Sequence, residues 1–190
     1  MIYYTFVDSP IAQLLLTSDG KALTGLYMSV PERDSAKQSE NGFGMLQGSD
    51  LPERNDHAFP FAIVRTQLIE YFEGEREQFD VPISLNGTAF QQRVWAELRN
   101  IPYGVAISYG ELARRLANPN ASRAAGLANG RNPISIIVPC HRVIGADRSL
   151  TGYGGGLSRK EALLKLEGIE FRPRPNKQVA VADSFALASN

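Results

Sequence analysis

The chain reads as an α+β protein: a small N-terminal antiparallel sheet with one helix, then a mostly helical part containing a helix-turn-helix. Three observations lead there. β-Rich runs alternate with turn signals through the first 28 residues. Capping sequences open helices in the second half. Charge divides at the same place. Residues 1–85 hold 6 Lys/Arg against 13 Asp/Glu, residues 86–171 hold 11 against 6, and residues 172–190 hold 3 against 1. A formally neutral chain therefore has a basic second half, which points to a polyanionic partner. The expected units are 1–85 with a long loop at 31–56, then 86–171, then a mobile tail at 172–190.

Taken in order, residues 2–7, 12–18 and 22–28 are the expected strands. Asp8-Ser9-Pro10 and Ser18-Asp19-Gly20-Lys21 are turns, the second closing an antiparallel hairpin. Pro31 to Asp56 is polar and Gly-dotted and reads as a loop. Phe61, Val64, Leu68, Tyr71 and Phe72 recur at helical spacing, with Gly74 as the stop. That helix should lie on the small sheet, its aromatic stripe inward. Asp80 to Ser84 is an extended linker.

In the second half, Thr88-Ala89-Phe90-Gln91 is a capping box ahead of Val94, Trp95 and Leu98, and Pro102 closes that helix. Ser108-Tyr109-Gly110-Glu111 is a second box, opening a helix to about Ala117. Asn118-Pro119, an N-cap with Pro at the first helical position, starts a third that ends near Gly130. The short connection makes a helix-turn-helix. In the third helix Ala121, Ser122, Ala124, Ala125, Gly126 and Ala128 leave Arg123 projecting alone. Small residues of this kind suit either packing against another helix or close, sequence-indifferent contact with a surface. Several long polar side chains, the usual equipment of a major-groove reader, are missing.

The stretch Asn132 to Gly145 centres on Cys140, the one cysteine of 190 residues. Ile136 to Val138 is β-branched and reads as a buried strand, and Pro139 should end it and present Cys140 at its rim. His141 and Arg142 follow, and a neighbouring cation favours a thiolate. From spacing alone, a nucleophile and a small buried hydrophobe remain equal readings. Thr151 to Gly156 is a flexible Gly loop without the Lys-Ser/Thr of a phosphate cradle. Ser158 to Glu167 is a last helix, with Ala162, Leu163 and Leu166 inward and Gly168 as its stop.

A single cysteine excludes an intramolecular disulfide and suits a reducing compartment. Met1 to Phe6 lacks the basic start and apolar core of a signal peptide, and no apolar run reaches the length of a membrane span. The expectation is a soluble, cytoplasmic protein without membrane contact.

Pro139-Cys140-His141-Arg142-Val143-Ile144, with Asn132-Pro133 before it and Gly152-Tyr153-Gly154-Gly155-Gly156-Leu157 after it, closely resembles the O6-alkylguanine-DNA alkyltransferases. The likeness is strong from Thr88 to Gly168 and looser before. It implies a ribonuclease H-like N-terminal part and direct-reversal DNA repair. An alkyl group would pass irreversibly, in one turnover, from O6-alkylguanine or O4-alkylthymine to Cys140. It implies that His141, oriented by Glu167, deprotonates Cys140 through water. Double-stranded DNA would be bound by a monomer through the minor groove, with the target base flipped and cooperative binding left open. Arg123 would fill the vacated stack, with Ala121 and Ser122 in close contact. Tyr109 would crowd the target phosphate and donate to guanine N3, and Arg114, Arg115 and Arg131 would meet phosphates. In the pocket, carbonyls of Cys140 and Val143 would take the guanine amine. The Gly154 amide would face O6 beside Gly155, Tyr153 would wall the alkyl group, and Asn132 would tie the recognition helix to the active-site turn. Ser135 stands where some relatives have proline, and Gly154 where others have serine, which implies a roomier pocket. No cofactor is implied. Some relatives carry a structural zinc, but His57, His141 and one cysteine offer no such site, so no metal is expected. The competing readings are an alkyltransferase-like binder without transfer, against which Cys140 argues, a helix-turn-helix regulator, and a cysteine hydrolase.

Overall fold

A computed structural model describes residues 1–28 and 52–172. The tail at 173–190 and most of the loop expected at 31–56 lie outside the described residues. Three strands form where the β-rich runs stand: β1 (Tyr3–Asp8), β2 (Gln13–Ser18) and β3 (Leu23–Met28), paired antiparallel in sequence. Within the expected loop, Glu53–Arg54 forms a short β4 parallel to β1, so the sheet is mixed, in the order β3-β2-β1-β4. Helix α1 (Phe61–Phe72) buries Phe61, Val64, Leu68 and Tyr71 of the stripe its spacing predicts, Phe72 being half-buried, and Gly74, φ +77°, follows its end.

The exposed edge of β3 receives two later segments. Leu23 N–H donates to Pro82 O at 2.8 Å and Ser84 N–H to Leu23 O at 2.8 Å, so the linker lies along this edge. Farther along, Leu26 N–H donates to Pro133 O at 2.9 Å and Ser135 N–H to Leu26 O at 3.0 Å. Unpaired strand groups are thereby satisfied, and the stretch leading to Cys140 gains a rigid support.

Helix α2 (Ala89–Arg99) starts with a complete capping box, Thr88 to the Gln91 N–H and Gln91 back to the Thr88 N–H. It buries Val94, Trp95 and Leu98 and holds the helix-turn-helix by two long-range bonds. Arg93 donates to Leu116 O at 2.7 Å, and Trp95 Nε1 to Ala128 O at 2.9 Å. A two-stranded parallel pair, β5 (Ile107–Ser108) with β6 (Val143–Ile144), ties the start of α3 (Tyr109–Arg115) to the segment after Cys140. Ala117, φ +56°, ends that hairpin arm one residue before Asn118. Helix α4 (Ser122–Gly130) is entered through a single 3₁₀ turn, Pro119–Ala121. Asn118 makes no side-chain capping bond there, contrary to the expectation, because the 3₁₀ turn rather than an α-turn follows it. Helix α5 (Leu157–Leu166) buries Leu163, Leu164 and Lys160, whereas Ala162 and Leu166 are only half-buried. The inward stripe is rotated because Lys160 is drawn into the interior. One apolar core runs from β1–β3 and α1 through α2 and α4 to Cys140 and Leu163. Among the described residues no helix is long and apolar enough to cross a membrane.

Candidate active site

The run Ile136–Val138 is not a strand. Ile136 has φ +70°, and Val138 N–H donates back to Ile134 O at 3.0 Å, so the segment curls. Asn132 causes the curl: its Nδ2 donates to Val138 O at 2.7 Å and Ile134 O at 3.3 Å, while its Oδ1 accepts from Ile134 N–H at 3.1 Å. Such local side-chain bonding competes with a ladder. Ile136 and Val138 are apolar because they are buried in a turn, which periodicity cannot distinguish from a short buried strand. Asn132 also bonds to α4, its N–H donating to Asn129 O at 3.3 Å, so it joins that helix to the turn. A second link is made by Asn129 of α4, whose Nδ2 donates to Cys140 O at 3.3 Å.

Cys140 opens a 3₁₀ turn, Cys140–Arg142, and is 5% exposed, buried rather than set at an open rim. Burial pushes its thiol up; the Asn132 side chain, the Lys160 charge and the backbone amides of Cys140 and His141 pull it back. The resting group is thus a thiol with thiolate-stabilising donors already in place. It needs a base.

His141 is fully buried. Its Nε2 lies 2.8 Å from Glu167 Oε1, and its Nδ1 has no partner among the described residues. Burial lowers the imidazole's pKa, with Glu167 opposing, so the ring is neutral near pH 7. A carboxylate on Nε2 fixes that nitrogen as the N–H donor and leaves a lone pair on Nδ1. The arrangement yields a base aimed away from the carboxylate.

Glu167, just past α5, is more heavily held than one histidine requires. Arg142 donates to it through Nε (2.7 Å) and Nη2 (3.0 Å), and Tyr71 of α1 donates to Oε1 at 2.8 Å. Arg142 also donates to Ile101 O at 2.6 Å. Burial alone would raise the Glu167 carboxyl, but hydrogen bonds from His141 and Arg142, with the Arg142 charge, outweigh it and hold it at about 2. Lys160 is fully buried, donating from Nζ to Val143 O (2.6 Å) and Thr151 O (2.8 Å). Desolvation lowers it to about 8, opposed by Cys140, and it stays largely protonated at neutral pH. Neither Tyr71 nor Lys160 stands out in the sequence; a lysine at an inward helical position was the available signal.

Around this turn the remaining candidates divide. Tyr109 is half-buried at the head of α3, its hydroxyl 3.5 Å from Gly152 O and its ring 6.0 Å from Lys160 Nζ. Gly126 of α4 lies so close that a Cβ there would be 3.4 Å from the Tyr109 ring. Tyr153 is half-buried, and Gly156 N–H donates to Tyr153 O at 3.0 Å, making the Gly stretch a defined turn. A Cβ on Gly155 would fall 2.6 Å from Met28 Sδ and 3.0 Å from the Tyr153 ring, so a side chain there would have to displace them; Gly154 has ordinary room. Ser135 is half-buried and Val143 fully so.

Helix α4 turns Ala125, Ala128 and Asn129 inward and leaves Arg123, Ala124 and Leu127 exposed, Ala121 and Ser122 being half-buried. Small residues thus serve packing on one face and openness on the other. Arg123 does not project alone, since Leu127 one turn on is 63% exposed. Arg131 is exposed beyond the helix. Ser108 caps α3 by accepting from Glu111 N–H, but the Glu111 carboxylate turns to Arg114 (2.8 Å) and Arg115 (3.2 Å) instead of closing the box. Among the described residues no group of three or more His, Cys, Asp or Glu could hold a metal ion.

Two family models match: 6-O-methylguanine DNA methyltransferase, ribonuclease-like domain, over residues 2–85, and its DNA binding domain over residues 89–169. A methylated-DNA–protein-cysteine methyltransferase of Mycobacterium bovis is 50% identical over 171 residues, covering 88% of this chain and 93% of its own. One from Haemophilus influenzae is 45% identical over 173 residues, covering 90% and 88%. The crystal structure of Mycobacterium tuberculosis O6-methylguanine methyltransferase is 48% identical, with a TM-score of 0.74, covering 88% of this chain and 93% of that one. A Mycobacterium tuberculosis OGT in complex with DNA is 48% identical, with a TM-score of 0.72, covering 87% and 92%.

Proposed function

The chain belongs to the 6-O-methylguanine DNA methyltransferase family, and from that we propose that it repairs DNA by moving an alkyl group from guanine O6 to Cys140. The observation that carries the chemistry is the buried relay, Glu167 on His141 Nε2 with Nδ1 left unpartnered among the described residues, on the residue that follows Cys140. His141 Nδ1 takes the thiol proton through a bridging water. The thiolate, eased by Asn132, Lys160 and two backbone amides, attacks the alkyl carbon in line. A sulfur–carbon bond forms, the carbon–O6 bond breaks, and guanine leaves with the electron pair and regains one proton, the number that Cys140 gave up. Tyr109 donates to guanine N3 as it leaves. The product is a thioether, which offers water no electrophilic carbonyl, so each molecule acts once.

An alkylated base inside a duplex must first be extruded, at a few kcal/mol of unstacking. The exposed face of α4 suits the minor groove: Ala124, with Ala121 and Ser122, allows close approach, and Arg123 is long enough to enter the stack. Arg131, with Arg114 and Arg115 released from Glu111, meets phosphates. Carbonyls of Cys140 and Val143 receive the guanine amine, Gly154 and Gly155 lie along O6, and Tyr153 and Ser135 bound the alkyl group. O4-alkylthymine, lacking that amine, is the poorer substrate. Residues 1–85 brace the site through Tyr71 and the β3 edge, and residues 86–171 bind DNA and react. The protein acts as a monomer in the cytoplasm, where a lone thiol stays reduced.

Incubation with a duplex carrying O6-methylguanine, followed by intact-mass measurement, tests this. One methyl per chain, stopping at one, is expected; DNA binding without mass change would favour a non-transferring binder.

A further inference from the structure

The geometry points to Asn129 as a specificity-determining residue of the base pocket. We propose that its side-chain Oδ1 accepts a hydrogen bond from the exocyclic amine of the flipped guanine. The inference rests on the transfer reading above and adds a contact to it.

Asn129 is 2% exposed, in the last turn of α4. One end of its amide is spent, Nδ2 donating to Cys140 O at 3.3 Å. The other end, Oδ1, is buried with no partner among the described residues. The orientation is not interchangeable. Reversing the amide would set Oδ1 against the Cys140 carbonyl, acceptor facing acceptor, so Nδ2 must take that side. Because both ends branch from one carbon, Oδ1 lies beside the same carbonyl.

A buried acceptor without a donor costs about 1–3 kcal/mol. Neighbouring inward positions on α4 are apolar, Ala125 and Ala128, and an apolar residue at 129 would avoid that cost. An amide that holds the turn at one end and leaves the other unpaired fits a partner that arrives with the substrate. The carbonyls assigned to the guanine amine are also partly occupied. Cys140 O already accepts from Asn129, and Val143 O from Lys160 Nζ at 2.6 Å. On this proposal an amine donating near Cys140 O also meets the Asn129 acceptor, which has no partner among the described residues. A site built this way discriminates strongly against a base lacking the donor, because the acceptor then stays buried and unpaired.

The test is single-turnover transfer from two duplexes that differ in one group, O6-methylguanine and O6-methylhypoxanthine, the latter without the 2-amino group. Wild type, Asn129→Leu and Asn129→Ala are compared after their melting curves show a folded protein. The quantity read is the ratio of the two rates. Wild type is expected to prefer the guanine adduct, and each variant to lose about tenfold of that preference, the equivalent of one good hydrogen bond. A variant slowed by the same factor on both duplexes overturns the proposal, since Asn129 then only steadies the Cys140 carbonyl. A wild-type preference below about twofold overturns it without any variant. A wild type that takes methyl from neither duplex would remove the transfer reading instead, and the two failures are distinguishable.

Discussion

The turn at Cys140 and helix α4 solve opposite problems within a few residues of each other. Around Glu167, His141, Arg142 and Tyr71 are buried and their bonds converge on one carboxylate, from α1, the turn and the end of α5. On the outer face of α4, Arg123, Ala124 and Leu127 are exposed. The turn's polar groups are already bonded to one another, which on the proposed reading spares the chemistry rearrangement. The helix leaves these groups exposed, where the proposed reading has them meet DNA. Damage to the first should therefore affect folding and every substrate, and damage to the second only substrates held in a duplex.

The largest effect expected is that of Cys140→Ser. Transfer should vanish while duplex affinity stays near wild type, because α3 and α4 are untouched; gel-shift titration and intact mass read the two separately. A serine variant that still clears the adduct would mean a different nucleophile.

Glu167→Gln breaks the turn from within. It leaves Arg142 buried without its counter-charge, and a loss of about 3–5 kcal/mol in stability is expected by denaturant titration. Surviving protein should transfer slowly, with a pH–rate profile displaced upward, as the His141 base loses its orienting carboxylate. The wild type carries a related signature. Glu167, held at about 2 against an ordinary 4.5, stabilises the fold fully above about pH 4.5. That contribution fades as pH falls toward 2, and melting temperatures across that window should decline accordingly.

Arg123→Ala addresses the helix alone. A rate loss of about 10- to 100-fold is expected on alkylated duplex, where the side chain offsets unstacking. Free O6-benzylguanine, which needs no flipping, should react at close to the wild-type rate. Equal losses on both would assign Arg123 to the pocket or the fold.

The smallest effect sharpens the contrast. Tyr71→Phe removes one of several bonds to Glu167, with an expected stability loss of about 1.5–3 kcal/mol and a rate loss shared equally by duplex and free base. A duplex-specific loss would tie α1 to DNA binding.

How much of this was legible beforehand depended on the range of the interaction. β1 to β3, α1, the Thr88 capping box and the place of the helix-turn-helix follow from patterns within about a dozen residues, where spacing and turn chemistry act directly. Cys140 and His141 stand out in the sequence as a lone cysteine followed by a cation, the resemblance supplies the role of Glu167, and folding brings His141 and Glu167 to 2.8 Å. Ile136 to Val138 reads as a strand because burial makes a turn and a strand equally apolar, and the Asn132 amide decides between them. Tyr71, 96 residues from Glu167, reads in the sequence as one more aromatic in a core stripe, and Lys160 does not stand out in the local pattern. Their polar ends find partners only when α1 and α5 close on the turn. Local chemistry can specify an element and a reactive residue, but the partner of a buried polar atom is chosen by packing, and only the folded chain contains that information.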